Sequence, residues 1–359
     1  MLEDGSRNDV RCVSIEHKLG IKASPTAVLQ YGDHGGAVGY LVGQENRGLE
    51  YMFIMMNAAR FGVGVQGIAT AERAYQKAVA YARERVQSRP VDGSLNKAAP
   101  IIHHPDVRRM LMTMRAYTEA CRAMAYVAAA AYDAAHAHAD AAVRAQNQAF
   151  YEFMVPLVKG LSTEMSLEVA SLGVQVHGGM GFIEETGAAQ YLRDAKILTI
   201  YEGTTAIQAN DLVGRKTARD GGATARAIAA QIEVTVGELN ATGSADAKAV
   251  AKRLEAGRRA FLDVADYVVA QGKSQPNAVF AGSVPYLMLA GTVVGGWQMA
   301  RALLAARKRL AAGDDPEFMR AKITTARFYA DHILVKAPAL RDSIVEGAET
   351  VTALALEAF

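Results

Sequence analysis

One acidic side chain, Glu202, stands where general acid–base chemistry is possible. It comes shortly before Thr205-Ala206-Ile207-Gln208, a pattern typical of a helix start, and the helix is predicted to continue through Asp211 and Val213. Free N–H groups and the helix dipole favour a negative charge there, whereas burial favours the protonated form. A carboxylate held between these effects can stay ionised and still accept a proton, although the same spacing fits an ordinary acid beside a cap.

A glycine-rich turn precedes this carboxylate within the stretch from Gln175 to Gln208. An apolar helix is predicted to end at His177, where Gly178, Gly179 and Gly181 begin the turn. We expect these glycines to supply positive φ angles and close backbone approach, so that free N–H groups point outward.

The motifs of this stretch, taken in order, resemble the signature of the acyl-CoA dehydrogenases. The resemblance rests on Leu192-Arg193-Asp194-Ala195, on Ile200-Tyr201-Glu202-Gly203-Thr204, and on Gln175 with Gly178-Gly179-Met180-Gly181. It implies that Glu202 abstracts the pro-R α-proton of an acyl-CoA thioester while the β-hydride passes to N5 of FAD. It also implies that Tyr201 and Gly203 line the substrate site.

An arginine on an earlier helix joins the site through the same resemblance. Some relatives carry their base just before this arginine, but here Ala59 precedes Arg60, so the resemblance leaves Glu202 as the base. Arg60 is then expected beside the thioester, where its charge would keep Glu202 ionised and stabilise an enolate. Asn57 would face the pantetheine of CoA. From the residues alone, Arg60 could equally be an ordinary helix-surface arginine.

The resemblance also assigns residues to FAD. Arg85 matches an arginine that reaches FAD phosphate across a subunit interface, and Gln87 fits two positions later, although Ser88-Arg89-Pro90 replaces the usual Phe-Gly. Further FAD contacts are implied for Gln175, Gly178, Gly179 and Thr204. A homodimer and an electron-transfer flavoprotein as electron acceptor are the implied partners.

The predicted fold is mainly α-helical, with a partial β-domain at the start. Short β-patterned segments at 11–15, 27–31 and 38–42 predict three strands, and the run Glu16–Thr26 resembles the middle of the family's β-domain. We therefore expect the second half of that domain at 1–47, a four-helix bundle at 48–216, and an additional helical domain at 217–359. The last part is similar to the extension of the longer branch, which includes the 3-methylthiopropionyl-CoA dehydrogenases.

Apolar periodicity places the helices of these two later parts. In the bundle, helices are predicted from about residue 52 to Arg85, from the His103-His104-Pro105 segment onward, and from about Phe150 to His177 with a break or bend near Pro156. The additional domain is predicted to contain helices at 247–272, 285–312, 316–337 and 341–359.

Two patterns resemble binding motifs only in their letters. Gly62-x-Gly64-x-x-Gly67 matches a dinucleotide fingerprint, but helical residues precede it where a strand is required, so it predicts close helix contact instead. His103 and His104 are adjacent and their side chains do not converge, so they do not predict a metal site.

Composition excludes some classes of function. The chain has 359 residues and a net charge of +2, which gives no basic field for nucleic acid. Only Cys12 and Cys121 are present, so no disulfide framework is expected, and a reducing cytoplasm fits. The first residues show no basic-then-apolar secretion leader. Residues 278–300 carry no charge and could cross a membrane, but Pro285 and Gln298 favour a buried helix or helix pair.

Two functional hypotheses remain open from the sequence. The first is an FAD-dependent acyl-CoA dehydrogenase, and the second is a non-catalytic fragment or partner subunit of such an enzyme, because the resemblance begins within the sheet. A helical interaction module would explain the composition but not the motifs between Gln175 and Gln208.

Overall fold

The computed structural model describes residues 2–359. The chain divides into two compact units, one up to Ala59 and one from Arg60 onward. The first contains the strands and the second contains almost all of the helices. The predicted mainly α-helical class is confirmed.

The first unit is built on a β-hairpin. Strands β1 (Val10–Ile15) and β2 (Ala27–Tyr31) pair antiparallel, with a register shift between Cys12 and Ser14. These elements confirm the first two predicted strands. Every residue of β2 is exposed, so neither face of the hairpin is covered within this unit.

The third predicted strand, Val38–Val42, does not form. The side-chain amide of Asn8 donates to the carbonyl oxygen of Val38 at 2.9 Å and accepts from its N–H at 3.0 Å. These bonds occupy the backbone groups of Val38 that a neighbouring strand would use. Gly36 and Gly43, both at positive φ, bend the chain on either side.

Helices make up the rest of the described chain. Three long helices are α1 (Gly48–Glu84), in which the unit boundary falls, α2 (Pro105–Ala137) and α3 (Ala141–His177). They are followed by α4 (Ala188–Leu198), α5 (Thr205–Asp211), a π-helical turn (Leu212–Ala218), α6 (Ala223–Ala241), α7 (Ala245–Gln271), α8 (Pro276–Ala281), α9 (Ser283–Ala311), α10 (Pro316–His332), α11 (Ala337–Val345) and α12 (Ala348–Val351).

Several helix predictions are wrong in their limits. Helix α3 starts at Ala141 and continues through Pro156 without a break. The residues on both sides of Pro156 are buried, and this packing outweighs the backbone hydrogen bond that proline cannot donate. The helix predicted at 316–337 ends at His332, and the one predicted at 341–359 is replaced by α11, α12 and a final 3₁₀ turn. Helix α6 was not predicted.

Two glycines allow α1 and α3 to pack with their backbones in contact. A Cβ atom on Gly64 would lie 2.7 Å from the carbonyl oxygen of Val158, and one on Gly67 would lie 2.7 Å from that of Ser162. Gly62 faces open space. The predicted role of this glycine pattern in helix contact is therefore confirmed for Gly64 and Gly67.

Helix α9 lies at the centre of the second unit and joins residues before and after position 216 in one core. Gly160 of α3 packs against Leu287, and Gly291 packs against Leu161. Within residues 2–359, α9 has the length and the hydropathy that a membrane-spanning helix needs. Most of its apolar stretch is buried against other helices. The domain limits proposed at 47 and 216 stay predictions.

We expect Gly64→Ala to lower the free energy of unfolding by about 1–3 kcal/mol, because the added methyl group meets a backbone oxygen that cannot rotate away. Denaturant unfolding followed by circular dichroism measures this change. The matched control, Gly62→Ala, should raise stability by roughly 0.5–1 kcal/mol, since it removes a helix-interior glycine without a clash. Equal effects of the two substitutions would contradict the packing account.

Candidate active site

Glu202 lies on a sharp turn between α4 and α5. Its φ is +54° and that of Gly203 is +89°, so two successive residues adopt left-handed conformations. A Cβ on Gly203 would lie 2.7 Å from the Nε2 atom of Gln208, which explains the glycine. Glu202 itself is not glycine and therefore holds a strained backbone, a feature that clusters at functional sites. Its side chain is exposed, whereas burial had been expected.

Three side chains tie this turn to its surroundings. Thr204, not Thr205, caps α5, because its hydroxyl accepts from the N–H of Ile207 at 3.3 Å. The hydroxyl of Thr205 instead donates to Glu164 on α3 at 2.5 Å. The side chain of Gln208 donates to the carbonyl oxygens of Gly203 and Glu202, at 3.3 and 3.5 Å.

Tyr201 adds a fourth attachment, to α1. Its hydroxyl hydrogen-bonds to the side chain of Gln66, and burial together with the nearby charge of Glu202 raises the pKa of this phenol. The turn that carries Glu202 is thus anchored to α1, α3 and α5, and its carboxylate projects from a fixed frame.

Arg60 is buried, but its direct partner is Asp211. The Nη1 atom of Arg60 lies 3.5 Å from Oδ2 of Asp211. The other carboxylate oxygen of Asp211, Oδ1, accepts a hydrogen bond from Arg215 at 2.6 Å. The Nε atom of Arg60 is buried without a hydrogen-bond partner among the described residues. Arg60 is therefore not the helix-surface arginine of the alternative interpretation, and no direct Arg60–Glu202 ion pair forms within the described chain.

Lys159 on α3 is the functional candidate that the sequence analysis missed. Its side chain is fully buried, and Nζ has no hydrogen-bond partner among the described residues. Burial lowers its pKa to about 8, Glu164 and Glu202 oppose this shift, and the positive charge of Arg60 adds to it. The available signal was a single lysine inside the apolar run 153–161, since lysine is almost never fully buried without a partner.

A second group of predicted residues gathers where α1 and α3 end. The rings of Tyr81 and His177 stack with centroids 4.3 Å apart, which brings Arg85 and Gly178 to the same end of the helix pair. Burial lowers the pKa of His177, and its ring nitrogen bonds the carbonyl oxygen of Gly173. The remaining predicted cofactor residues on this end are Gln87, Gln175 and Gly179, and all of them are exposed.

The three glycines after His177 act differently from one another. Gly178 has a positive φ of +60°, as expected. Gly181 is required for close approach, because a Cβ there would clash with the carbonyl oxygen of Val174. Gly179 has neither a positive φ nor a close neighbour, so the expectation was wrong for this position.

The two groups of residues are separated along α3. Glu164, which contacts Thr205, and His177 are thirteen residues apart on one helix, or about 20 Å at 1.5 Å per residue. Thr204 lies with Glu202, whereas Arg85, Gln87 and Gln175 lie at the far end. Asn57 belongs to the first unit, and the site built from the second unit does not include it.

His104, the second histidine of the pair, has a structural role. The Nε2 atom of His104 bonds the carbonyl oxygen of Gln87 at 2.7 Å, which ties the loop after α1 to the start of α2. Among residues 2–359, no three side chains of the metal-binding types come together.

An apolar cavity of about 520 Å³ lies between α1 and α2, on another face of α1. Phe61, Val65 and Tyr126 are among its lining residues, and Glu72 at its edge pairs with Arg122 at 2.5 Å. Arg122 and Gln76 hold the pKa of Glu72 below its ordinary value despite burial. This cavity offers apolar surface and a carboxylate already engaged in an ion pair.

Comparison with known proteins bears on these residues. A family model described as "Acyl-CoA dehydrogenase, C-terminal domain" matches residues 46–216, and one described as "Acetyl-CoA dehydrogenase C-terminal like" matches 225–355. The chain is 56% identical over 354 residues to 3-methylmercaptopropionyl-CoA dehydrogenase of Ruegeria pomeroyi. It is 37% identical to the broad-specificity linear acyl-CoA dehydrogenase FadE5 of Mycobacterium tuberculosis.

These relatives are longer than the chain. The matches cover 99% and 95% of this chain but 59% and 58% of the relatives. The fold is similar to that of an acyl-CoA dehydrogenase from Bacillus anthracis solved in complex with FAD, with a TM-score of 0.75 and 21% identity over 95% of this chain and 58% of that one.

The strain at position 202 can be measured with two variants that both lack the carboxylate. We expect Glu202→Gly to unfold at higher denaturant concentration than Glu202→Ala, with a difference of about 1 kcal/mol, because alanine keeps the unfavourable left-handed conformation. Chemical denaturation of both variants provides the comparison. An alanine variant as stable as the glycine variant would show that the turn relaxes and that the conformation is not imposed by its anchors.

Proposed function

The chain belongs to the acyl-CoA dehydrogenase family, and we propose that it forms the base-bearing helical part of an enzyme that oxidises the Cα–Cβ bond of an acyl-CoA thioester. Glu202 is the proposed base. The observation that carries the proposal is an exposed carboxylate on a strained turn anchored to three helices, at the position the family motif requires.

The side chains around Glu202 suit proton transfer. No side chain of the described chain hydrogen-bonds its exposed carboxylate, so this group is free to accept a proton from a bound thioester. The bonds from Gln208 hold the backbone on both sides of the reacting group at fixed positions. Positioning of this kind lowers the entropy that the reaction must lose. Arg60, which the family resemblance places beside the thioester, pairs with Asp211, and this carboxylate compensates its charge.

The exposed residues where α1 and α3 end suit the phosphates of FAD. Arg85 offers a guanidinium with no partner among the described residues, and the backbone at Gly178 and Gly179 is open. Arginine and free N–H groups are the donors that bind phosphate oxygens. FAD, when bound, supplies the acceptor for the β-hydride. Because the family resemblance implies that Arg85 reaches FAD phosphate across a subunit interface, we propose a flavin shared between two copies in a dimer.

The substrate proposal follows from the relatives. The identity of 56% to a 3-methylmercaptopropionyl-CoA dehydrogenase supports an acyl-CoA with a short thioether chain. Tyr201, Gly203 and Asn57 are proposed to contact this substrate, an electron-transfer flavoprotein is proposed as electron acceptor, and the cytoplasm as location.

The exposed hairpin favours a second candidate function, that of a segment acting together with another polypeptide. Val28, Leu29 and Tyr31 are each about half exposed, and two strands alone bury too little surface for independent stability. A partner that adds strands would cover them. In this case Glu202 would act only in the completed assembly.

We expect Glu202→Gln to reduce turnover by roughly 10²–10⁴-fold with binding retained, because the amide has the same shape but accepts no proton. The measurement follows the bleaching of the flavin absorbance when acyl-CoA is added to the FAD-loaded chain. Glu185→Gln, which neutralises another exposed carboxylate, is the control and should keep wild-type rates. Wild-type bleaching in the Glu202→Gln variant would refute the assignment of the base.

We expect Arg85→Ala to weaken FAD binding by about tenfold or more, since a charge-assisted hydrogen bond to phosphate is lost. Titration of the full chain with FAD, followed by flavin fluorescence, measures this affinity. Arg83→Ala removes an exposed arginine two residues earlier and should leave the affinity unchanged. Equal losses in both variants would point to general electrostatics instead of a phosphate contact.

A further inference from the structure

A cavity of about 340 Å³ lies between α2, α3, α6 and α9, and the proposed mechanism does not use it. Its walls include Phe150 of α3 and the single tryptophan of the chain, Trp297 of α9. Its polar lining includes the amide residues Gln146 and Gln231 and the cation Arg301. No aspartate or glutamate of the described chain lines this cavity, so its charged group is positive.

Arg301 is held in a fixed orientation at this cavity. Its guanidinium carbon lies 5.6 Å from the centroid of the Trp297 ring, and its Nη1 atom donates to Oε1 of Gln298 at 2.8 Å. The indole is fixed in turn, because its Nε1 atom donates to the hydroxyl of Thr235 at 2.9 Å. Within residues 2–359 no carboxylate pairs with Arg301, whereas Arg258 pairs with two glutamates. A positioned guanidinium with unused N–H donors is prearranged to bind an anion.

The amide that holds Arg301 also has an unused donor. Gln298 is only 4% exposed, and its Nε2 atom has no hydrogen-bond partner among the described residues. A buried N–H group without an acceptor is costly, and a bound water or ligand is one way to satisfy it. Because Nε2 belongs to the same amide group as the oxygen that accepts from Arg301, the unused donor lies beside the guanidinium. An oxyanion bound there offers both groups an acceptor, directly or through an ordered water.

A second, smaller cavity continues from the first along α6. Its volume is about 220 Å³, and it shares Phe150 and two glutamines with the first cavity. Its other lining residues are small or apolar, and Ala227 and Ile228 are among them. The two adjoining cavities therefore connect a cationic end at Arg301 to an apolar end on α6.

We propose that the two cavities form a binding site for an anionic amphiphile with one apolar chain, of the class of medium-chain carboxylates. The carboxylate binds the guanidinium of Arg301, since planar oxyanions match its fork of N–H donors. The apolar chain crosses the ring of Phe150 and lies against Ile228, where each methylene group removed from water adds affinity. The combined space is in the range of small-molecule sites.

This site is far along α3 from the turn that carries the proposed base. Phe150 and Glu164, which contacts that turn through Thr205, are fourteen residues apart, or about 21 Å at 1.5 Å per residue. The inference therefore goes beyond the proposed function and does not rest on it.

The single tryptophan makes binding measurable in the full chain without flavin or acyl-CoA. Because Trp297 lines the cavity and stacks against Arg301, an anion on the guanidinium should change its fluorescence. We expect octanoate to give a saturable change. Butyrate, which has a shorter chain, should bind about tenfold or more weakly, and so should octanamide, which has the chain without the charge.

Arg301→Gln tests the cationic end. We expect it to weaken octanoate binding about tenfold or more, and to leave the fold intact because the side chain is exposed. Arg307→Gln is the matched control, since it removes another arginine of α9 that lines neither cavity, and it should keep the wild-type affinity. Calorimetric titration of both variants complements the fluorescence, because Arg301→Gln also removes the contact with Trp297.

Ala227→Leu tests the apolar end with Arg301 intact. Ala227 is exposed on α6, so the helix accepts leucine there, and the larger side chain occupies part of the smaller cavity. Octanoate should bind about threefold or more weakly, whereas butyrate should be unaffected because its chain is too short to reach this end. Ala230→Leu, at another exposed position of α6 that lines neither cavity, should change neither affinity.

Several results would overturn the proposal. They are an octanoate affinity that Arg301→Gln leaves unchanged, equal losses in Arg301→Gln and Arg307→Gln, octanamide binding as tight as octanoate binding, and an Ala227→Leu variant that keeps the wild-type affinity for octanoate. Absence of a saturable response to octanoate in the wild-type chain would overturn it as well. None of these results depends on whether the chain oxidises an acyl-CoA, so failure of this inference and failure of the proposed function are distinguishable.

Discussion

Two buried cations on adjacent helices constrain this part of the molecule. Arg60 and Lys159 lie where α1 and α3 approach closely, and neither side chain can reach bulk water. Burying a charge without compensation costs several kcal/mol, so carboxylates have to stand nearby. Asp211 compensates Arg60 directly, while Glu164 and Glu202 act on Lys159.

Side-chain hydrogen bonds hold the strained turn at position 202. A left-handed conformation at a residue other than glycine costs about 1 kcal/mol or more, and it persists only where the surroundings impose it. Three side-chain hydrogen bonds are the anchors. Tyr201 bonds to α1, Thr205 bonds to α3, and Gln208 of α5 donates to a carbonyl oxygen of the turn itself. They leave the carboxylate of Glu202 exposed and oriented, which is the state that a base needs before a substrate covers it.

The chain carries a candidate base, but its hairpin is uncovered and its proposed phosphate donors lie far from that base. The hairpin of the first unit is uncovered, and the donors suited to phosphate lie about 20 Å along α3 from Glu202. The chain also spans 59% and 58% of the length of two longer relatives. The proposed function therefore includes residues from a second polypeptide segment in the active centre. In the proposed enzyme, the helical unit would supply Glu202 as the base.

Local sequence patterns were sufficient to predict the helical class, the first two strands and the placement of Glu202 beside a helix start, because these features depend on neighbouring residues and on the periodicity of side chains. It also predicted that Gly64 and Gly67 permit helix contact. Long-range packing makes Thr204 the cap, since the hydroxyl of Thr205 bonds Glu164, 41 residues earlier. It likewise paired Arg60 with Asp211, 151 residues away, and enclosed Lys159. Such contacts depend on how the helices pack, which local patterns do not encode.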